Sequence, residues 1–201
     1  LYSNKLGTCN TATGYLTLVN NTRANNTANG MMALLNNKTG SSNTATGSYS
    51  MLINDDGERN TAFGYATLNY IKLGVNDNTC FGTRAYGLEN FNYDLGTSKG
   101  PFSSGDANTA LGYNALSTNI SGSNNTGIGD SVLNLADGNG NTAVGQSALW
   151  ANGKNKAIFS TAIGYESANM GGLYITAIGT QSIKKNTITT QMHFLPDCKN
   201  I

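Results

Sequence analysis

The side chains best suited to chemistry in this sequence are few and far apart. His193 is the only histidine, so the chain cannot build a metal site from several histidines. Asp137 begins a glycine- and asparagine-rich run like the start of a calcium loop, but Ala148 stands where that loop needs its final glutamate. The acidic run at residues 55–58 is typical of a turn, with weak cation binding left open. We therefore predict that the chain is not an enzyme and has no catalytic residue, metal site or cofactor.

The three cysteines are too few and too widely spaced to form a disulfide framework or a metal cluster. Cys80 takes the place of a small residue inside a repeat described below, which favours a buried free thiol. Cys9 and Cys198 lie near opposite ends of the chain, so a covalent link between subunits through them stays open.

Composition excludes several classes of protein. The 201 residues carry a net charge of +1, only 11% are charged, and 25 are glycine. Large apolar residues are too sparse for a thick single-chain core. The near-neutral charge gives no basic surface for nucleic acid, and no apolar stretch is long enough for membrane insertion. Because the chain starts at Leu1 with no leader, we expect a processed product or a fragment.

A nine-residue unit recurs ten times and is the main signal in the sequence. It reads Asn-Thr-Ala-x-Gly, then a Tyr or polar residue, two variable residues and an apolar one. Most copies begin 15 to 19 residues apart, and one interval is 30 residues. The copies begin at Asn10, Asn26, Asn43, Asn60, Asn78, Asn108, Asn125, Asn141, Ser160 and Ile175.

Two positions of the unit never change, and we predict a structural role for both. The second position is always threonine: Thr11, Thr27, Thr44, Thr61, Thr79, Thr109, Thr126, Thr142, Thr161 and Thr176. The fifth is always glycine: Gly14, Gly30, Gly47, Gly64, Gly82, Gly112, Gly129, Gly145, Gly164 and Gly179. The third position is always small and the ninth is always apolar.

A period near 17 residues is too short for two helices, and Asn, Thr and Gly disfavour helix. Two strands of about five residues with two turns fit that period. The pattern predicts an all-β fold, a parallel β-solenoid of about ten coils of 15–19 residues stacked about 4.8 Å apart. Alternation places Thr and the fourth residue on one face, with the small third residue and Gly on the other. We expect the first-position Asn to hydrogen-bond nearby backbone and the coils above and below.

The fourth position changes character along the chain. It is polar at Thr13, Asn29 and Thr46, and then it is apolar in every later copy: Phe63, Phe81, Leu111, Ile128, Val144, Ile163 and Ile178. A thin coil cannot hide these side chains together with the ninth-position row. An exposed apolar row of that length favours packing against further copies of the chain, so we predict a homo-oligomer.

At these repeats the chain resembles the head domains of trimeric autotransporter adhesins. Their motif Asn-Ser-Val-Ala-Ile-Gly is similar to Ser160-Thr-Ala-Ile-Gly164 and to Thr176-Ala-Ile-Gly179. The run Asn108-Thr-Ala-Leu-Gly-Tyr-Asn-Ala-Leu116 also resembles repeat arrays of phage and giant-virus fibre proteins. The resemblance covers about residues 8–185 and implies a left-handed β-roll, a trimer and an adhesive or fibre function. The repeat is longer here than in the adhesins, and their stalk and anchor are absent, which leaves a cell surface and a virion surface both open.

Two segments depart from the repeat. The long interval contains an insert at about residues 89–106, in which Phe91, Tyr93 and Phe102 are candidate receptor-binding residues. The alternative is a loop that folds over the coil edge or packs on a neighbouring subunit. We assign residues 1–185 to the repeat domain. Residues 186–201 form a cap, a connector or a strand exchanged with another subunit, with a strand predicted over 187–192.

Five Asn-x-Ser/Thr triplets lie in or near turns and are candidates for glycosylation. An Asn- and Thr-rich repeat also generates such triplets by composition alone. The five are Asn20, Asn25, Asn37, Asn119 and Asn124.

These features predict an extracellular structural or adhesive fibre segment at a cell or virion surface. Its expected partners are further copies of itself and a host receptor, glycan or matrix protein. The alternatives are a filament or sheath subunit, an ice-binding solenoid based on flat threonine rows, and a polysaccharide-cleaving solenoid. The apolar fourth positions count against ice binding, and the scattered acids count against cleavage.

Overall fold

The fold is known from a computed structural model that describes residues 2–4, 6–71, 74–86, 104–134, 138–150, 157–169, 173–183 and 192–194. The described residues contain strands and turns. The strands are β1 Thr11–Thr13, β2 Thr27–Asn29, β3 Asn36–Asn37, β4 Thr44–Thr46, β5 Ile53–Asn54, β6 Thr61–Phe63, β7 Tyr70–Ile71, β8 Thr79–Phe81, β9 Thr109–Leu111, β10 Thr126–Ile128, β11 Thr142–Val144, β12 Thr161–Ile163, β13 Thr176–Ile178 and β14 Met192–Phe194.

These strands form two parallel sheets. The main sheet has the order β1-β2-β4-β6-β8-β9-β10-β11-β12-β13-β14, and the second sheet has the order β3-β5-β7. Register keeps equivalent repeat positions in line, with Thr11 opposite Thr27 and Ala12 opposite Ala28. The chain is therefore a parallel β-solenoid of about eight turns, which confirms the predicted all-β solenoid class. Several turns pass through residues outside the described ranges, so ten complete coils stay a prediction.

We call each repeat unit a rung and number the rungs 1 to 10 along the chain. The prediction of two five-residue strands per coil was wrong, because the main strand has three residues. A second strand, of two residues, is present in three of the coils within the described ranges. The chain turns at the glycine, where φ is +126° at Gly14, and then enters the left-handed region at Leu16 and Leu18. Such φ values end an extended strand. Glycine therefore lies at a corner of the coil. The expectation that it shares the face of the small third residue was wrong.

The core is a narrow interior formed by two columns of side chains. Third-position residues such as Ala28 and Ala110 and ninth-position residues such as Leu34 and Leu116 are fully buried. The small third residue leaves room for the ninth. At Gly127, an added Cβ would lie 2.5 Å from Leu116 Cδ1, so the leucine already occupies that space. As predicted, the interior holds the ninth-position row and does not also hold the fourth-position row.

First-position asparagines form a buried ladder along the solenoid, as predicted. Asn125 Oδ1 accepts hydrogen bonds from the backbone N–H of Asn141 at 3.0 Å and from its amide Nδ2 at 2.9 Å. Asn125 Nδ2 donates to the Gly138 carbonyl at 2.8 Å on the far side of its own coil. Asn125 thus joins two rungs and fastens the two halves of one coil.

A second asparagine column lies on the opposite side of the first coils and was not predicted. Asn37 Nδ2 donates to Asn21 Oδ1 at 2.7 Å, and Asn54 Nδ2 donates to Asn37 Oδ1 at 2.7 Å. Asn37 also bonds the Gly40 carbonyl three residues later, at 2.8 Å. These contacts close the return turns where large apolar residues are scarce.

The C-terminal segment contributes one strand to the main sheet. β14 pairs in parallel with β13 of the same chain, and Met192 lies opposite Thr176. A strand in this segment was predicted at 187–192, and the observed strand begins at the last of these residues. The other residues of the 186–201 segment, including Cys198, lie outside the described ranges.

Candidate interaction surface

The outward face of the main sheet carries an exposed apolar row. Because side chains alternate along each strand, the second and fourth residues point outward when the third points inward. The exposed fraction is 55% at Phe63, 46% at Leu111 and 40% at Ile163. We define the apolar stripe as the fourth-position residues of rungs 4 to 10: Phe63, Phe81, Leu111, Ile128, Val144, Ile163 and Ile178.

Sixth-position tyrosines extend the stripe at its edge. Tyr65, Tyr113 and Tyr165 are each exposed by 40% or more. Within the stripe, the rings of Phe63 and Phe81 stack with their centroids 5.9 Å apart. Phe63 and Phe81 therefore form a continuous apolar surface across rungs 4 and 5, and an exposed apolar surface is typical of an interaction surface.

The same face is polar in the first three rungs. Thr13 and Asn29 are exposed, and Thr46 is partly exposed. These residues continue the column that becomes Phe63 in rung 4, so the change in chemistry occurs on an unbroken sheet. The fourth-position residues, which change from polar to apolar along the chain, thus lie on the outside of the solenoid.

The predicted receptor-binding residues Phe91, Tyr93 and Phe102 lie outside the described residues. The scaffold on both sides of that insert is described. Tyr86 replaces the ninth-position leucine in rung 5, is buried, and donates from its hydroxyl to the Gly105 carbonyl at 3.0 Å. This bond joins rung 5 to the C-terminal end of the insert, and rung 6 stacks on rung 5 in the usual register. The sequence could have pointed to this contact, because Tyr86 is the one aromatic residue among the ninth positions.

The five candidate glycosylation sites fall into two groups. Asn20, Asn25 and Asn124 are exposed at turns. Asn37 and Asn119 are fully buried, and the amide of Asn119 donates to the Gly122 carbonyl at 2.8 Å. Burial disfavours a glycan at these two positions in the folded chain.

Charged side chains of the described ranges meet in surface ion pairs, such as those of Arg59 with Glu58 and Asp77. No group of three or more His, Cys, Asp or Glu residues there is placed to hold a metal ion. Burial raises the pKa of the Cys80 thiol far above its usual range, so this cysteine is protonated and inert. Cys9 is exposed. The histidine at 193 lies in β14, opposite Ala177, and the aspartate at 137 lies outside the described residues.

No helix among the described residues is long and apolar enough to cross a membrane. Comparison of the chain with protein-family models, with curated proteins and with solved structures found no match.

Proposed function

We propose that this chain is a structural or adhesive segment of an extracellular surface fibre, in which copies of the chain associate through the apolar stripe. The observation that supports this most strongly is the exposure of that stripe on a solenoid whose core is already filled. Third- and ninth-position residues complete the interior without it. The stripe therefore contributes nothing to the single-chain core and is free to serve association.

The size of the stripe supports a contact between chains. A soluble monomer rarely leaves a contiguous apolar surface of this length in water. Because these side chains are already about half buried, covering each one stabilises an assembly by about half of the roughly 1.5–3 kcal/mol that burial from full exposure gives. Seven such residues in a straight line suit a partner that is also straight and repeats at the same spacing. Another copy of the solenoid meets both conditions.

The finer features of the proposal come from the resemblance described above. They are a left-handed roll of about ten coils, a closed trimer, and display of the insert loop at about residues 89–106 to a host receptor, glycan or matrix protein. The scaffold side of that display is supported by the bond from Tyr86 to Gly105, which holds the C-terminal end of the insert against rung 5. Loops held on rigid scaffolds commonly carry recognition.

The association is tested by the native mass of the purified chain beside electron micrographs. We expect short rods and a mass three times the chain mass of 21.0 kDa. A variant with Phe63→Thr, Leu111→Thr and Ile163→Thr copies the polar rungs and should be monomeric and still folded. The matched control, with Thr27→Ser and Thr44→Ser on the same face, should keep the wild-type mass. A compact wild-type monomer would refute the proposal, and long polymers would favour the filament alternative.

The adhesive role is tested separately on the assembled chain. Phe91→Ala, Tyr93→Ala and Phe102→Ala together should abolish retention on arrays of glycans and matrix proteins while the native mass stays the same. Equal retention of the variant and the wild type would remove the insert from recognition and leave a purely structural fibre.

A further inference from the structure

The first strand of the main sheet has a neighbour on one edge only. β1 lies at the end of the strand order and pairs with β2, and no other described strand lies beside it. At the opposite end, β14 lacks the repeat sequence and covers β13. We define the open edge as the backbone of residues 10–16 on the side away from β2. Ala12 is only partly buried there, whereas Ala28 in the next rung is fully buried.

The open edge presents hydrogen-bonding groups in a fixed pattern. In rung 2, Gly30 N–H donates to the Thr13 carbonyl at 2.8 Å, and Met32 N–H donates to the Tyr15 carbonyl at 2.8 Å. The equivalent donors in rung 1 are Gly14 N–H and Leu16 N–H, and they have no partner among the described residues.

The strand itself adds one more pair of groups to this pattern. Neighbouring residues of a parallel strand bond to opposite sides. Thr11 N–H donates to the Asn26 carbonyl and the Thr13 carbonyl accepts from Gly30, so both face β2. Ala12 therefore turns its N–H and its carbonyl to the open edge. Together these groups fit a parallel strand in register with β1.

The asparagine ladder requires a particular residue at the start of that strand. Asn10 Oδ1 accepts from Asn26 N–H at 2.8 Å, and every rung from 2 to 8 receives the same bond from the asparagine one rung before. Asn10 N–H has no such acceptor among the described residues. An asparagine at the first position of an added strand would supply one.

The glycine column excludes side chains at another position. A Cβ built on Gly14 would lie 2.7 Å from the Gly30 carbonyl oxygen of the next rung, and a Cβ built on Gly30 would lie 2.7 Å from the Gly47 oxygen. The Gly14 carbonyl faces the open edge in the same way. A strand on that edge therefore needs glycine at its fifth position.

The gap beside β1 is bounded on its far side by the chain itself. Ser3 N–H donates to the Val19 carbonyl at 2.8 Å, and Asn25 N–H donates to the Thr8 carbonyl at 3.0 Å. Asn4 and Gly7 close a return turn like that of Asn37 and Gly40. The described residues from 2 to 9 thus stack beneath the return half of the first coil and leave its strand half uncovered.

We propose that the open edge is a specific docking site for one parallel β-strand of the rung type, with asparagine at its first position, a small residue at its third and glycine at its fifth. The occupant completes the half-coil that residues 2–9 begin. The proposal concerns a backbone edge and is independent of the apolar stripe and of the proposed function.

The test places a candidate strand beside the site in the full chain. A copy of residues 10–17 is fused directly before Leu1, so that Leu1 takes the ninth position of the added rung. Two matched controls carry the same fusion with alanine in place of its glycine or alanine in place of its asparagine. The measurement is hydrogen exchange at the backbone amides of Ala12 and Gly14, which reports occupancy of the edge directly.

The fused rung should slow exchange of both amides at least tenfold, and the glycine-to-alanine fusion should leave them as fast as in the unmodified chain. The asparagine-to-alanine fusion should give a smaller slowing. Equal protection by all three fusions would overturn the sequence requirement. Slow exchange in the unmodified chain at every concentration would show that the edge is already covered and would overturn the proposal. Protection that rises with the concentration of the unmodified chain would assign the edge to a second copy and would also overturn the proposal.

Discussion

Rungs 1 to 3 and rungs 4 to 10 share one interior and differ on the outside. Ala45 and Ala143 are buried alike, as are Met51 and Leu149. The asparagine ladder runs through both regions. The fourth residue is polar in the first region and apolar in the second, although it occupies the same place on the same sheet.

The difference shows which columns the fold dictates and which it leaves free. Inward columns are held by packing and by hydrogen bonds between rungs, so the same residue types recur. The fourth-position column is not held by interior packing or by hydrogen bonds between rungs. Its change from threonine to phenylalanine and isoleucine therefore reflects the surroundings of the solenoid. We infer that rungs 4 to 10 face other chains and that rungs 1 to 3 face water.

A second outward column repeats the contrast. The residue before each first position is Arg59 in rung 4 and Asp77 in rung 5, and these two form an ion pair with 2.7 Å between Arg59 Nε and Asp77 Oδ1. In rungs 9 and 10 the same column holds Phe159 and Tyr174, whose rings stack with centroids 6.0 Å apart. The outside thus becomes more apolar towards the C-terminal rungs in two columns.

The largest expected effect tests whether the interior is uniform. Gly30→Ala in rung 2 and Gly129→Ala in rung 7 each place a side chain at φ near +134° and +140°, with the added Cβ 2.7 Å from the next carbonyl oxygen. Strain and clash together should cost at least about 4 kcal/mol of unfolding free energy in both regions. Urea unfolding at one fixed protein concentration measures the loss.

Thr27→Ala and Thr126→Ala are the matched controls, because they lie on the outward face of the same rungs, and they should change the unfolding free energy by less than about 1 kcal/mol. If Gly30→Ala were tolerated and Gly129→Ala were not, the two regions would not share one architecture.

The next effect concerns the asparagine ladder. Asn43→Ala and Asn125→Ala each remove a buried amide that bonds a backbone N–H in the next rung and a glycine carbonyl across the coil. Leaving both groups unsatisfied should cost about 3 kcal/mol at either site. Exchange of the amides at Asn60 and Asn141 should accelerate accordingly. A cost confined to one region would show that the ladder in the other region is not structural.

The smallest effect concerns the ion pair on the outside. Arg59 hydrogen-bonds the Asp77 carboxylate and lowers its pKa below the ordinary value of 3.8. A lowered pKa stabilises the fold above that ordinary value, and the contribution is lost as the pH falls through the lower folded value. Both groups are exposed and screened. Asp77→Asn should therefore leave the urea midpoint at pH 7 within error of the wild type, whereas a clear drop would show that this outward column supports the fold.

The repeat allowed the sequence to predict most of the architecture. Invariant Thr and Gly positions, with small third and apolar ninth residues, indicated stacked parallel rungs, because only a fold with a fixed coil-to-coil register imposes such columns. Alternation along the predicted strands also placed Phe63 and its equivalents on the face opposite the small third residues.

The remaining features depend on the path of the chain between rungs. The turns at Gly14 and Leu16 depend on φ values that spacing alone does not fix, so strand lengths were overestimated. The second asparagine column was missed because Asn21, Asn37 and Asn54 follow the unit at a place that is not constant, with Ile71 there in the next rung. The hydrogen bond from Tyr86 to Gly105 joins residues separated by most of the insert, and a single sequence gives no measure of that contact.

The coverage of the stripe is tested most directly by thiol labelling of the native assembly. Leu111→Cys in rung 6 and Asn29→Cys in rung 2 occupy the same column, and both positions are exposed in the single chain. The experiment uses a background with Cys9→Ser and Cys198→Ser, in which Cys80 is buried and unreactive. We predict that a maleimide modifies the cysteine at position 111 at least tenfold more slowly than the cysteine at position 29. Equal, fast labelling of both would show that no neighbouring copy covers the stripe and would contradict the account.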